Sequence, residues 1–342
     1  FCTIEVKMKT LFAISLLAFS SVGFSTEVSM QQKELLLESL ATNISAQYVM
    51  ENQLSDIVKS LKETEKSAGF SKVSSPAEIA QVLTSVLRQH DKHFAVRWTD
   101  PNAKKDVSVY EDWFAKLDRK NSGFQRVDIL EGNIGYIDFW GFDTVNERSK
   151  KRAEVVMAMI ADTDAIIFDL RKNGGGSADM VRLLSSYLFE QPVHLNSIYW
   201  KASDTTSEFW TFDKVNGKVQ PKVPVYVLTS LDTFSAAEEF AYNLKALKRA
   251  VVVGEVTKGG ANPWKFFDLE QGFQVAIPIA KAVNPITKTN WEGVGVQPDI
   301  KVSKDKALDT AYQLALKDLK AKSLPVEQVK DIDKALQQFQ SP

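Results

Sequence analysis

Ser235 stands where a short apolar run gives way to a helical pattern, in the segment TSLDTFSAAEEFAYN (229–243). The run PVYVLTS (224–230) predicts a strand, and AAEEFAYNLKALK after Ser235 predicts a helix. A serine at such a turn can present its hydroxyl beside free N–H groups and the positive end of a helix dipole, which suits a nucleophile. The alternative is that Ser235 only caps the helix, with Glu238 completing a capping box.

Three consecutive glycines, Gly174, Gly175 and Gly176, follow the predicted strand DAIIFDL (164–170). Backbone N–H groups of consecutive glycines can point into a concavity without side chains in the way, and such a loop can bind an oxyanion or a phosphate. The segment RKNGGGS lacks the GxxxxGK[ST] spacing of a phosphate loop, so a nucleotide is the weaker interpretation. A flexible turn between a strand and a helix is the structural alternative.

The chain has only three histidines, so a serine that needs an imidazole base has three candidates. His194 lies in the turn-like stretch QPVHLNS, whereas His90 and His93 lie where a predicted helix gives way to a strand. Two imidazoles this close could bind zinc, but no third ligand is evident nearby, and we expect no metal. A half-buried structural residue at a helix end is the other interpretation of His93.

An acid is also needed to orient the imidazole. Glu292 stands just before a Gly-Val-Gly turn in TNWEGVGVQPDI, a segment without a helical pattern. Its alternative is an ordinary solvated glutamate in a loop.

The elements that must position these residues show two kinds of sequence pattern. Residues 26–99 contain three helical patterns and predict a small helical N-terminal domain. A charged connection follows over 100–124, and residues 125–322 alternate short strands with helices, which predicts an α/β core. A helical tail is expected over 323–342. The predicted core strands are 133–140, 164–170, 224–230, 249–255 and 273–280, and the predicted core helices include 147–161, 178–189 and 304–319.

The 342-residue chain carries 42 basic and 43 acidic residues. This balance provides no excess of positive charge for a polyanion, and we expect no nucleic-acid partner.

The N-terminus predicts export. The chain starts at Phe1 rather than Met, which we interpret as a fragment or as a start codon assigned too far upstream of Met8. From Met8 the run MKTLFAISLLAFSSVGFS is typical of a signal peptide, which we place within residues 1–25. A core helix or a membrane anchor is the alternative, but the apolar run is too short to cross ~30 Å of hydrocarbon. The only cysteine, Cys2, precedes Met8, so we expect no disulfide and no cysteine nucleophile in a mature periplasmic or secreted protein.

Four ordered segments, DLRKNGGGS, TSLDTFSAAEEFA, VVVGEVTKGGANP and WEGVGVQPDI, resemble the C-terminal processing (tail-specific) peptidase family. That family includes the tricorn protease core and the repeats of interphotoreceptor retinoid-binding protein. The resemblance covers about residues 90–302. It implies an α/β fold with a crotonase-like ββα spiral core, a serine nucleophile and no cofactor. The stretch 100–123 is too short for the peptide-binding PDZ insert of many processing proteases.

The resemblance also assigns roles to individual residues. Ser235 matches the family nucleophile, and the backbones of Gly174, Gly175 and Ala236 match its oxyanion hole.

Two bases remain open under the resemblance. One branch uses a lysine in a TFGKG segment that follows the nucleophile. When RAVVVGE is aligned with its counterpart in that branch, Gly260 stands at the position of the lysine, and Lys258 lies two places earlier. Lys258 stays an alternative base because residues two apart in a strand face the same side. The tricorn-like branch uses a histidine before the core as the base and a glutamate near the C-terminal motif as its acid partner. His93 and Glu292 match these two positions.

These observations predict an exported serine peptidase that hydrolyses peptides or unfolded proteins through Ser235, His93 and Glu292. The alternative is a non-catalytic protein of the same fold that binds a hydrophobic ligand such as a retinoid or a lipid. The sequence does not indicate the oligomeric state.

Overall fold

The computed structural model describes residues 27–101, 109–322 and 324–339. The predicted signal peptide over 1–25 lies outside the described residues. The predicted α/β class is confirmed, because helices at the N-terminal end precede a mixed core of strands and helices.

The described strands are β1 (Ala95–Trp98), β2 (Phe124–Leu130), β3 (Ile134–Phe139), β4 (Ala165–Asp169), β5 (His194–Trp200), β6 (Thr205–Trp210), β7 (Val225–Thr229), β8 (Val251–Gly254), β9 (Trp264–Asp268), β10 (Phe273–Pro278), β11 (Ala280–Val283) and β12 (Ile300–Lys301). The described α-helices are α1 (Met30–Gln47), α2 (Leu54–Glu65), α3 (Ala68–Lys72), α4 (Pro76–Leu87), α5 (Val109–Arg119), α6 (Glu147–Met159), α7 (Ala178–Ser186), α8 (Ala236–Ala246), α9 (Lys304–Lys320) and α10 (Val326–Gln337).

The core is a six-stranded sheet in the order β12-β8-β7-β4-β3-β2. Strands β3, β4, β7 and β8 run parallel to one another, and every residue of β4 and β7 is buried. Continuous apolar runs such as AIIFD and VYVLT suit central parallel strands, because helices cover both faces of such a sheet. Helices α6, α7 and α8 pack on one face, and α9 and α10 pack on the other. The carboxyl ends of β4 and β7 lead to the glycine loop and to Ser235.

The N-terminal helices share a core with strands from the far end of the chain. Residues of α1, α2 and α4 pack against Phe273, Val275 and Ile277 of β10, which pairs with β1 and β9 in a three-stranded sheet. This packing fixes the segment before β1, which carries His93, next to the α/β core. The predicted domain boundaries at residues 99 and 124 stay predictions.

A second small sheet, β11-β5-β6, was not predicted from the sequence. His194 is the first residue of β5 and pairs with Trp210, so its assignment to a turn was wrong. The predicted connection over 100–124 also contains a helix, α5. Within the described ranges, no helix combines the length and the apolar character that crossing a bilayer requires.

Candidate active site

Ser235 stands in a strained backbone conformation at the start of α8, with φ 54° and ψ −121°. Such a positive φ is rare for a residue with a side chain, and strain of this kind is often found at functional sites. The turn that leads to it is anchored on the end of β4. Thr233 Oγ1 donates to Leu170 O at 2.8 Å, and the Phe234 N–H donates to Asn173 O at 3.0 Å. The serine turn and the glycine loop are therefore one connected structure.

Glu238 fixes this turn from inside the protein. Its Oε2 accepts the Ser235 N–H at 2.8 Å, as a capping residue would, and also the Gly260 N–H at 2.9 Å. Its Oε1 accepts the Gly259 N–H at 2.6 Å and the Thr257 hydroxyl. Burial raises the pKa of Glu238, and these hydrogen bonds oppose that shift. The capping interpretation is therefore compatible with a nucleophilic Ser235, since Glu238 caps through the backbone N–H.

The glycine loop lies directly against the serine turn. Gly175 has φ 91°, and a Cβ added to it would lie 2.8 Å from Ser235 Cβ and 2.9 Å from Ala236 N. Any side chain at Gly175 would therefore clash with the turn that carries Ser235, which explains why a glycine is needed there.

The backbone N–H groups near Ser235 are not equally available. The Gly174 N–H donates to Trp140 O at 3.1 Å, and the Gly175 N–H donates to Asn173 Oδ1 at 2.9 Å. Across the described residues, the N–H groups of Gly176 and Ala236 have no hydrogen-bond partner. Of the three amides expected to form an oxyanion hole, only that of Ala236 is free in this structure.

His93 is buried next to the turn that carries Ser235. Its ring centroid lies 4.9 Å from that of Phe234, the residue before Ser235. Its Nδ1 has no hydrogen-bond partner and lies 3.4 Å from Asp91 Oδ1 and 4.0 Å from Glu292 Oε2. The Nδ1 edge therefore faces two carboxyl groups. No hydrogen bond joins His93 to the Ser235 hydroxyl among the described contacts.

Gly260 is the position where the resemblance would place a lysine base. A Cβ there would lie 2.2 Å from Phe234 Cε2 and 2.9 Å from His93 Cε1. The imidazole and the Phe234 ring thus occupy the space that a side chain at Gly260 would need.

Glu292 is held by backbone N–H groups from the loop after Gly260. Its Oε2 accepts from Ala261 at 2.6 Å and from Asn262 at 3.1 Å, and its side chain is only 11% exposed. Burial raises the pKa of Glu292 to about 7, helped by the charge of Asp91 and opposed by His93. Glu292 is therefore not a solvated loop residue.

Asp91 is the site residue that sequence reasoning missed. Its fully buried carboxyl group lies closer to His93 Nδ1 than Glu292 does, and its Oδ1 also accepts the His93 backbone N–H at 2.9 Å. Its Oδ2 accepts from the Tyr48 hydroxyl at 3.4 Å and from Asn262 Nδ2 at 3.3 Å. The available signal was an acid two residues before the candidate base in a tight turn, where a side chain can fold back onto the following backbone.

The other candidate residues lie outside this cluster. Lys258 is exposed, with its Nζ 5.0 Å from the Phe234 ring centroid. His90 Nε2 contacts Ser60 Oγ at 3.1 Å, and His194 stacks on Trp210 with ring centroids 4.8 Å apart. His90 therefore contacts a different part of the structure from His93.

The cluster of acids around His93 also has the composition of a cation site. In the described part of the chain, the ligand atoms of Asp91, His93 and Glu292 lie within 4.8 Å of one another.

Comparison with protein families matches residues 133–302 to peptidase family S41. The α/β core of this chain belongs to that family. The matched range contains Ser235, the glycine loop and Glu292, whereas His93 and Asp91 precede it. The predicted family is confirmed.

Curated relatives of this S41 core are similar over part of their length. The chain is 31% identical over 166 residues to carboxyl-terminal-processing peptidase 2, chloroplastic, of Arabidopsis thaliana, which is 48% of this chain and 31% of the relative. It is 31% identical over 165 residues to a carboxyl-terminal-processing protease of Synechocystis, which is 45% of this chain and 36% of the relative. The chain thus matches about a third of the length of these relatives.

A solved structure shares the fold over a larger range. A proposed peptidase from Parabacteroides merdae aligns with a TM-score of 0.60 at 20% identity, over 83% of this chain and 96% of that one. The likeness therefore includes elements outside the S41 match.

A cavity of about 240 Å³ opens beside Ser235 in the S41 core. The β5–β6 hairpin, the start of α8 and the loop before β9 form its walls. Its lining includes Gly176, Ser235, Ala236 and Glu239 together with aromatic side chains. The two free amides therefore border a space that a substrate side chain could enter.

Proposed function

We propose that this chain is a serine peptidase in which Ser235 is the nucleophile and His93 is the general base. The observation that supports this most strongly is the environment of His93. Its ring packs on Phe234, the neighbour of Ser235, while its Nδ1 edge faces the carboxyl groups of Asp91 and Glu292. This leaves Nε2 to exchange a proton with Ser235. Hydrogen bonds of this kind are often long without substrate and tighten when substrate binds.

The reaction we propose has two stages. Ser235 Oγ attacks the carbonyl carbon of a peptide bond while His93 takes the hydroxyl proton, and a tetrahedral oxyanion forms. The C–N bond then breaks as the imidazolium gives that proton to the leaving amine, and an acyl ester remains on Ser235. In the second stage His93 takes a proton from water, the resulting hydroxide attacks the ester, and Ser235 recovers its proton as the acid product leaves.

The backbone N–H groups that have no hydrogen-bond partner are the best donors to the oxyanion. The N–H groups of Ala236 and Gly176 border the cavity and have no partner among the described residues, so we assign them as donors. Gly174 and Gly175, which the sequence comparison suggested, shape the loop. The Gly175 N–H would have to leave Asn173 Oδ1 before it could contribute.

Glu292 and Asp91 stabilise the imidazolium that forms during each proton transfer. Both carboxyl groups face Nδ1, and a buried opposite charge favours the protonated imidazole. Burial raises the pKa of Glu292, so its carboxyl group holds its negative charge less firmly near neutral pH than an exposed glutamate does.

The size of the cavity favours a peptidase over the ligand-binding alternative. At about 240 Å³ it is smaller than a usual small-molecule site, since such sites occupy roughly 300–1,000 Å³. A single amino-acid side chain is a better match than a retinoid or a lipid.

We further propose that the substrates are peptides or unfolded protein segments outside the cytoplasm. The curated relatives carry names that refer to processing of carboxyl termini. The export pattern before Ser25 supports a periplasmic or secreted location.

A serine-directed probe tests the proposal. Wild-type protein should react with a fluorophosphonate and hydrolyse casein, and Ser235→Ala should lose both, with hydrolysis falling by roughly 10⁴-fold or more. Ser85→Ala removes an exposed serine hydroxyl from α4 and is the matched control, which should retain labelling and hydrolysis. Equal hydrolysis by wild type and Ser235→Ala would contradict the proposal, and an unlabelled, inactive wild type would support the ligand-binding alternative.

A further inference from the structure

Glu239 is a buried acid in the wall of the cavity beside Ser235, and the reaction described above does not use it. We propose that this cavity binds the side chain of the substrate residue whose carbonyl Ser235 attacks, and that Glu239 selects lysine or arginine there. This inference rests on the proposed peptidase function and names its substrate class.

The cavity has apolar walls that suit a long methylene chain. Asn196, Ile198 and Trp200 stand two residues apart on β5 and therefore face the same side of the strand, toward the cavity. Trp264 and Trp291 complete an aromatic lining. Lysine and arginine bury their methylene stems against such surfaces while their charged ends reach a polar group.

Glu239 lacks a cationic partner. It is 6% exposed, and the only hydrogen bond to its carboxyl group among the described residues comes from Asn196 Nδ2 at 3.5 Å. A buried carboxylate without a counter-ion is unfavourable, so such groups usually become neutral. Burial raises the pKa of Glu239 to about 7, with a small opposing effect from Asn196 and a further increase from the charge of Asp179. A substrate cation would supply the missing opposite charge.

The distance along α8 matches the proposed side chains. Ser235 caps this helix and Glu239 follows four residues later, so the two lie on the same face of the helix. Four residues rise about 6 Å along a helix axis. An extended lysine or arginine side chain spans such a distance, whereas alanine or serine does not.

A purely structural role for Glu239 is the competing explanation. The contact with Asn196 joins α8 to β5 and could serve only to hold these elements together. The two explanations differ in one measurable respect, because only a selecting residue changes the ratio between cationic and neutral substrates.

The experiment compares fluorogenic tripeptide amides that end in lysine, arginine, norleucine or Nε-acetyl-lysine. Wild-type kcat/KM should be roughly 30-fold or more higher for lysine than for norleucine, because losing one partner of a buried charge pair is costly. Nε-acetyl-lysine should behave like norleucine, a comparison that requires no variant. Glu239→Gln should lose the lysine preference while norleucine hydrolysis changes less than about threefold.

The matched control is Glu208→Gln, which removes the same charge from an exposed position on β6. It should keep the wild-type preference, and this excludes a general effect of net charge. Equal wild-type rates for lysine and norleucine, or a lysine preference that survives in Glu239→Gln, would overturn the inference.

A different readout applies if the peptidase proposal itself fails and the fluorophosphonate leaves wild type unlabelled. Tryptophan fluorescence of the cavity then reports the binding of N-acetyl-lysine methylamide and of its norleucine counterpart. Tighter binding of the lysine compound, lost in Glu239→Gln, would support the cation pocket, and equal binding of the two compounds would overturn it.

Discussion

Ser235 has a buried carboxyl group with a raised pKa on each side, and the two differ in what surrounds them. On the His93 side, Glu292 accepts hydrogen bonds from two backbone N–H groups and faces an imidazole that can become charged. On the cavity side, Glu239 has a single long contact with an amide side chain. Burial raises the pKa of both groups to about 7.

This difference shows where the opposite charge must come from. In the proposed mechanism, the charge opposite to that of Glu292 forms within the protein, when His93 takes a proton from Ser235. For Glu239 no cation is available among the described neighbours, so under our proposal the cation arrives with a substrate. One acid therefore suits catalysis and the other suits recognition, although burial raises their pKa values to a similar extent.

The largest expected effect concerns the base. His93→Ala should lower kcat/KM by about 10⁴-fold, because the nucleophile loses its proton acceptor. Lys258→Ala should change it by less than about threefold, since this exposed side chain lies over Phe234 and outside the acid cluster. Steady-state hydrolysis of one peptide by both variants is the measurement. The reverse order of effects would make Lys258 the base.

The next expected effect concerns the two acids beside His93. Glu292→Gln and Asp91→Asn should each lower kcat by up to about 10⁴-fold, because an acid that orients the imidazole of a serine peptidase contributes that much. Both should also move the acidic limb of the kcat/KM pH profile to lower pH, because an uncharged neighbour stabilises the imidazolium less.

The pH profile separates a positioning role from a merely structural one. If Asp91→Asn reduces activity without moving the limb, Asp91 only supports the fold. If Glu292→Gln alone moves it, Asp91 has no part in orienting the imidazole, despite its shorter distance to Nδ1.

The smallest expected effect is on stability and involves Glu239. Its pKa is raised from 4.5 to about 7 on folding, so between these pH values the folded state binds more protons than the unfolded state. The free energy of unfolding should therefore fall as pH rises through this window, by about 3 kcal/mol from this group.

Glu239→Gln removes the titrating group, so the variant should gain stability relative to wild type between pH 5 and pH 8. Urea unfolding at the two pH values measures this difference, with Glu208→Gln as the control that keeps the wild-type slope. A wild-type difference that Glu239→Gln leaves unchanged would show that Glu239 is hydrated rather than buried.

The core elements were predicted well because their signals are local. The buried runs that became β4 and β7 are continuous and apolar, and the helix after Ser235 begins with a capping signal. The β5–β6 hairpin was missed because HLNSIYW mixes polar and apolar residues without clear alternation. Its pairing is fixed only by contacts with β11 and with the cavity wall.

The site was predicted in part for the same reason. Ser235, Ala236 and the glycine loop stand in segments whose own sequence dictates a turn. Asp91 was missed because its distance to His93 depends on side-chain packing that also involves Tyr48 and Asn262.

The sequence by itself determined the turn at Ser235 and the glycine loop, because a strand end, a helix cap and consecutive glycines restrict the backbone wherever they occur. The tertiary structure decided which groups meet there. His93 precedes the family core in the chain. The strand after it, β1, pairs with β10, and β10 packs against the N-terminal helices, which positions His93 next to the core. Whether a buried carboxyl group gains an internal partner or faces an open cavity likewise depends on elements far apart in sequence, because burial and charge act through space.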